Sequence, residues 1–299
     1  MAQEIKGIVV PVVTPFTQDE ALDEGALRAI VNYLVDSRIH GLFPCGSQGE
    51  FFSLDGEEKR RVMDIVIEEN NGRAFVMPNT GAVTTRESVE LSRYAERAGA
   101  DAISVITPYF IKPSGEELRQ HYLRIAEAVS IPTLAYNNPD RTGVHLPASV
   151  AAAVAKQAPS FIGVKDSSGD LTNTLSYIEQ CPPTFRTFMG RDTMIYAGLA
   201  CGCVGAVAAT ANVAPDLVVG IYEAFVAGDH ALALARQRKL SPLRRAFALG
   251  SFPVVVKDAM ALMGLPAGPA RAPISSLTGK AREELIAILR DLGKLGRVE

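Results

Sequence analysis

Residues 101–136 read DAISVITPYFIKPSGEELRQHYLRIAEAVSIPTLAY, and this stretch decides the fold. An apolar, β-branched run at 101–107 (DAISVIT) gives way at 115–129 to apolar residues at three- and four-residue steps, and a second apolar run follows at 132–136 (PTLAY). A short apolar run is strand-like, and a three-four spacing is the buried stripe of a helix. Strand, helix, strand is a βαβ unit with parallel strands. The alternation continues on both sides, with further runs at 7–14 (GIVVPVVT), 41–45 (GLFPC), 74–79 (AFVMPN), 161–165 (FIGVK), 185–189 (FRTFM) and 204–209 (VGAVAA), and helical stretches such as 57–70 and 84–98. Eight strand–helix units predict an α/β fold, the (β/α)8 TIM barrel. The competing doubly wound open sheet would want a GxGxxG turn after its first strand, and the chain offers only GSQGE at 46–50.

Three more helical stretches, at about 229–249, 253–264 and 279–293, follow the eighth unit without a Ser/Gly- or Pro-rich linker. The expectation is a barrel over 1–228 carrying the active site and a C-terminal helical appendage over 229–299 packed on it. The chain's 299 residues suffice for that arrangement, and 47% hydrophobic residues with a mean hydropathy of +0.13 describe a globular protein with a large core.

Composition also removes function classes. Thirty Lys and Arg against 33 Asp and Glu give a net charge of −3, too balanced for a surface that binds by neutralising phosphates, so no nucleic-acid partner is expected. No stretch of about 18 apolar residues exists for a membrane span, and the first residues lack the apolar segment of a signal peptide, so a cytoplasmic protein is expected. Cys45, Cys181, Cys201 and Cys203 form no CxxC pair, and His40, His121, His145 and His230 are scattered. Neither a disulfide framework nor a zinc site follows, and no metal is expected.

Barrels carry their chemistry at the C-terminal ends of the strands. The second run ends in Gly46-Ser47-Gln48-Gly49-Glu50, where glycines around small polar residues let backbone N–H groups face an anion, or form a tight turn and nothing more. The fourth run ends in Thr107-Pro108-Tyr109-Phe110, the fifth in Tyr136-Asn137-Asn138-Pro139 followed by Asp140-Arg141-Thr142-Gly143. Tyr136 is a candidate proton shuttle, although tyrosines at strand ends more commonly pack, and Arg141 is a carboxylate clamp or a surface charge. The sixth run closes on Lys165, where a buried strand calls for an apolar side chain. A desolvated lysine is a Schiff-base nucleophile, because its neutral amine attacks carbonyls. Lys257, after Pro253-Val-Val-Val, has the same apolar context. Position separates the two, because Lys165 ends a barrel strand and Lys257 falls in the appendage. The seventh run ends in Gly190-Arg191-Asp192 and the eighth in Ala209-Thr210-Ala211-Asn212, without the glycine pairs of phosphate-binding barrels, which argues against a phosphorylated substrate.

Together these motifs resemble the dihydrodipicolinate synthase / N-acetylneuraminate lyase family of pyruvate-dependent Schiff-base lyases. The resemblance spans the chain through VTPF (13–16), GSQGE (46–50), TPYF (107–110), YNNP-x-RTG (136–143), GVKDSSGD (163–170) and GRD (190–192). It implies that Lys165 forms an imine with pyruvate or another 2-oxo acid. It implies that Tyr136, aided by the Ser47 hydroxyl, moves the protons, and that the amides of Ser47 and Gln48 bind the 2-oxo acid carboxylate. Arg141 would hold the carboxylate of the second substrate, with Gly46, Gly49, Gly190, Asp192 and Ala208 completing the substrate site, and Tyr109 and Phe110 touching a neighbouring subunit. No cofactor is implied, and a homotetramer or dimer of dimers is.

Three departures qualify it. Gln48 stands where the synthases usually carry Thr, Phe110 stands where a relay tyrosine is usual, and Gly56, Lys59 and Val83 replace the residues of lysine-inhibited members. The resemblance thus implies a dihydrodipicolinate synthase-like lyase joining pyruvate to an aldehyde such as aspartate semialdehyde. The alternatives are an aldolase cleaving 4-hydroxy-2-oxo acids or 2-oxo-3-deoxy sugar acids, and a non-catalytic 2-oxo-acid binding protein.

Overall fold

The computed structural model describes residues 4–296. Eight strands, β1 (Gly7–Val10), β2 (Gly41–Leu42), β3 (Phe75–Val76), β4 (Ile103–Ile106), β5 (Thr133–Asn137), β6 (Phe161–Asp166), β7 (Arg186–Met189) and β8 (Gly205–Val207), form one sheet in the order β3-β2-β1-β8-β7-β6-β5-β4. All its pairings are parallel. The ends of that order meet through a parallel bridge between Asn79 and Ser104, where Thr80 N–H donates to the Ser104 carbonyl at 2.9 Å and Ser104 N–H to the Pro78 carbonyl at 2.9 Å. The sheet is therefore the closed (β/α)8 barrel expected from the eight runs.

Most strands are shorter than their runs, and β2 and β3 are the shortest, at two residues each. The runs at 41–45 and 74–79 contain Pro44 and Pro78, which lack the N–H that a ladder needs, and pairing stops at Leu42 and Val76. The helices α1 (Glu24–Asp36), α2 (Gly56–Asn70), α3 (Thr85–Ala98), α4 (Gly115–Ala126), α5 (Pro139–Thr142), α6 (Ala148–Gln157), α7 (Leu171–Gln180), α8 (Ile195–Ala200) and α9 (Pro215–Val226) fall between the strands or after the last. Their starts are written in the sequence: Asp23, Asp55, Thr84, Ser114 and Asp170 each accept a first-turn N–H, a cap that contributes about 1 kcal/mol. In α4 the buried residues Leu118, Tyr122 and Ile125 recur at the helical step, and the Tyr122 hydroxyl donates to the Val105 carbonyl of β4 at 3.2 Å.

The C-terminal stretches form α10 (His230–Arg245), α11 (Val254–Leu262) and α12 (Gly279–Asp291). The expected helix at 229–249 ends at Arg245 and continues as a single 3-10 turn at Ala246–Leu249. Gln237 on α10 accepts from Tyr196 N–H at 2.9 Å and donates to the Asp192 carbonyl at 2.8 Å, which fastens α10 to the loop after β7. Among the described residues no helix is long and apolar enough to cross a membrane.

Candidate active site

Parallel register across β5 and β6 sets Tyr136 beside Lys165 and Asn137 beside Asp166. Because neighbouring residues on a strand face opposite ways, the first pair looks into the barrel and the second outward. The outward pair is architecture. Asp166 accepts hydrogen bonds from Asn137 Nδ2, Ser168 N–H and Oγ, Asn173 Nδ2 and Thr174 Oγ1 at 2.7–3.1 Å, tying β6 to β5 and to the start of α7. The polar half of GVKDSSGD thus holds its lysine in place.

Lys165 is 4% exposed. Its Nζ lies 3.8 Å from the centre of the Tyr136 ring and 4.5 Å from that of Phe43. Burial lowers the amine below the ordinary lysine value, against the opposing pull of Tyr136 and Asp192, which favours the neutral, nucleophilic form. Around the Tyr136 phenol, Ser47 Oγ stands at 3.1 Å and Asn138 Nδ2 donates at 2.9 Å. Burial alone would raise this phenol, but the Lys165 charge and the Ser47 and Asn138 hydrogen bonds outweigh it and hold it below its usual value. A lysine and a phenol in contact titrate as a pair.

Lys165, Tyr136, Ser47 and Asn138 line a cavity of about 290 Å³ shared with Gln48, Asp140, Arg141, Gly190, Arg191, Asp192, Arg244 and Phe252. The strand-two turn forms one wall. Thr14 of VTPF donates to the Gly49 carbonyl at 2.7 Å, and a Cβ at Gly49 would meet the Val12 carbonyl at 2.7 Å, so the turn is pressed against β1. Among the described residues the backbone N–H groups of Ser47 and Gln48 meet no acceptor, although both residues are buried. Unpaired amides of this kind are free to donate to an anion. The Gln48 side chain turns to the C-terminal region, its Nε2 donating to the Pro253 carbonyl at 3.0 Å, while its buried Oε1 has no partner among the described residues.

Asp192 Oδ2 accepts from Thr210 N–H and Oγ1, each at 2.7 Å. Arg191 pairs with Asp140, and the Arg141 guanidinium stacks over Phe252 at 4.4 Å. Gly46, Gly49 and Ala208 do not line the cavity. Gly46 has the Phe43 ring 2.5 Å from where a Cβ would sit, and Ala208 is fully buried between two lining residues, Val207 and Ala209. Tyr109 packs edge-on against Phe51 and Phe110 is 97% exposed, both outside the cavity. Lys257, indistinguishable from Lys165 by local context, lies on α11 in an ion pair with Glu50 at 2.5 Å and faces no part of the cavity.

Sequence reasoning gave no role to Asn138 and Arg191, which lie inside motifs it quoted, and passed over Arg244, Phe247 and Phe252 altogether. The last three come from the C-terminal region, some 80 residues past Lys165 in the chain, and no local pattern marks them.

Comparison with known proteins agrees with this geometry. The dihydrodipicolinate synthetase family matches residues 4–292. A 4-hydroxy-tetrahydrodipicolinate synthase of Methanopyrus kandleri is 41% identical over 99% of this chain and 98% of its own. An uncharacterized DapA-like lyase of Halobacterium salinarum is 40% identical over 97% and 95%. A prophage protein of the dihydrodipicolinic acid synthase family from E. coli K12, solved in complex with pyruvate, superposes with a TM-score of 0.94 at 32% identity, covering 97% of this chain and 99% of its own. With sequence, fold and the buried lysine in agreement, the chain belongs to the dihydrodipicolinate synthetase family and is a lyase of its Schiff-base, class I aldolase type.

Proposed function

We propose that Lys165 forms an imine with pyruvate and that the resulting enamine is joined to an aldehyde bearing a carboxylate, aspartate semialdehyde being the first candidate. The observation that carries this reading is the buried Lys165 amine against the Tyr136 ring, with the phenol held by Ser47 and Asn138. The pyruvate complex of the E. coli relative supports the ketoacid.

The steps follow from the groups present. Pyruvate's carboxylate takes the Ser47 and Gln48 amides, which brings its 2-oxo carbon to the amine. The nitrogen lone pair attacks that carbon, Tyr136 supplies the proton that lets hydroxide leave as water, and an iminium remains. Its positive nitrogen draws electrons from C3, which loses a proton to the Tyr136 phenolate, restoring the phenol and giving an enamine. The enamine carbon bonds to the aldehyde carbon, Tyr136 protonates the new alkoxide, and water hydrolyses the iminium to regenerate the amine. Arg141, lining the same cavity, holds the acceptor's carboxylate. Gly190, Asp192 and the backbone around Ala208 shape the pocket. The chemistry calls for no cofactor.

Borohydride with pyruvate should add one reduced pyruvate per chain on Lys165; an adduct on Lys257 or none would overturn the assignment. With an acceptor panel, Arg141→Ala should lower kcat/KM for aspartate semialdehyde by about 10–100-fold, as the loss of a charge-assisted bond implies, and leave pyruvate trapping unchanged. An equal loss in both would make Arg141 structural.

A homotetramer or dimer of dimers and a cytoplasmic setting belong to the same proposal. Phe110, Phe52 and Ile111 are exposed apolar residues suited to a subunit contact, and the four cysteines are free thiols, as a reducing compartment keeps them.

A further inference from the structure

Three guanidinium groups, Arg141, Arg191 and Arg244, line the cavity above Lys165. Two carboxylates, Asp140 and Asp192, accompany them. Asp140 is taken by Arg191. Asp192 Oδ2 is taken by Thr210, and Oδ1 lies 3.8 Å from Arg244 Nε, beyond hydrogen-bond length. Among the described residues no acceptor takes a hydrogen bond from the side chain of Arg141 or Arg244. Arg244 is only 25% exposed, with its guanidinium over the Phe247 ring at 4.7 Å. It sits in the last turn of α10, where the helix dipole favours a cation. Three guanidinium groups against two carboxylates leave the cavity with an excess of positive charge, which favours an added anion there. Arg141 enters from the short helix α5 and Arg244 from α10, so a group held by both would bridge the barrel and the C-terminal region.

We propose that Arg244 is a specificity-determining residue that binds a carboxylate at the far end of the acceptor, so that the carbon chain built on the imine is a dicarboxylic 2-oxo acid. This rests on Lys165 being the imine-forming residue. It assigns to the C-terminal region a share in acceptor choice that the barrel motifs do not contain.

The test needs only the first half of the reaction. Borohydride trapping on Lys165 is titrated with 2-oxoglutarate and 2-oxoadipate, each against the monoacid of equal length, 2-oxopentanoate and 2-oxohexanoate. The wild type should half-saturate at a concentration about 10–100-fold lower for at least one diacid than for its monoacid, the range of a charged hydrogen bond. Arg244→Leu should remove at least a tenfold preference while trapping pyruvate as before, and Arg244→Lys should restore part of it. No preference in the wild type, or a preference that survives Arg244→Leu, overturns the inference. A loss of pyruvate trapping equal to the loss with the diacid also overturns it, since Arg244 would then act through Asp192. A wild-type chain that traps no pyruvate overturns the Lys165 reading and this inference with it, an outcome distinct from pyruvate trapping without diacid preference.

Discussion

Lys165→Met removes lyase turnover by at least about four orders of magnitude, because no other group at the cavity floor can form the imine on which every later step depends. Methionine keeps the length and apolar stem, so the barrel should fold. The stability of this variant carries its own signature. Burial lowers the Lys165 amine below its usual value of 10.5, so between the folded and unfolded values the unfolded chain holds more protons than the folded one, and wild-type stability rises with pH through that window. At neutral pH the wild type therefore carries a cost, either for burying the ammonium or for discharging it, that is gone above about 10.5. Lys165→Met lacks the penalty at every pH. Its Tm should exceed that of the wild type at pH 7, and the difference should shrink as pH approaches 10.5. Residual turnover above about 1%, or a Tm difference that does not change with pH, would contradict a desolvated catalytic amine.

The fold was legible because burial leaves a periodic mark. A parallel barrel covers both faces of every strand, so each strand is a continuous apolar run, and all eight were visible before the helices between them. What the run could not give was its paired length, since Pro44 and Pro78 are apolar in composition yet cannot donate to the ladder. The candidate site was legible where strand ends held its groups, as at Tyr136 and Lys165, whose adjacency is a matter of register. It was not legible where the wall comes from far along the chain. Arg244 and Phe252 reach the cavity because α10 and α11 fold back over the barrel, and nothing in their neighbours along the sequence encodes that. The two lysines show the same limit. FIGVK and PVVVK look alike, and what distinguishes them is the partner each meets: an aromatic ring and a cavity in one case, a carboxylate in the other.

That carboxylate is the second large effect. Glu50 and Lys257 are both fully buried and lie 2.5 Å apart. Lys257 Nζ also donates to the Pro269 carbonyl at 2.7 Å and sits 4.4 Å from the centre of the Phe16 ring, and Glu50 Oε2 accepts from Arg271 N–H at 3.2 Å. Glu50 adopts a left-handed φ of 54°, a conformation that costs about 1 kcal/mol or more for a side chain of this kind. The ion pair is what holds it there. Two buried charges satisfy each other, but removing one leaves the other buried without a counter-charge, a loss of about 3–5 kcal/mol. Lys257→Met should therefore lower Tm by roughly 5–10 °C in a chain of this size. Adding Glu50→Gln to Lys257→Met removes the orphaned charge and should recover most of that loss. The consequence reaches the active site, since Glu50 lies three residues after Ser47, and Gln48 is tied to Pro253 at the head of the same α11. Lys257→Met should accordingly raise the pyruvate concentration needed for half-maximal trapping on Lys165, with little change in the maximal extent, because the turn that presents the Ser47 and Gln48 amides loosens while the amine stays in place. A double variant no more stable than Lys257→Met alone would show that the pair does not carry this strain. A single variant with unchanged pyruvate dependence would show that α11 does not hold the strand-two turn.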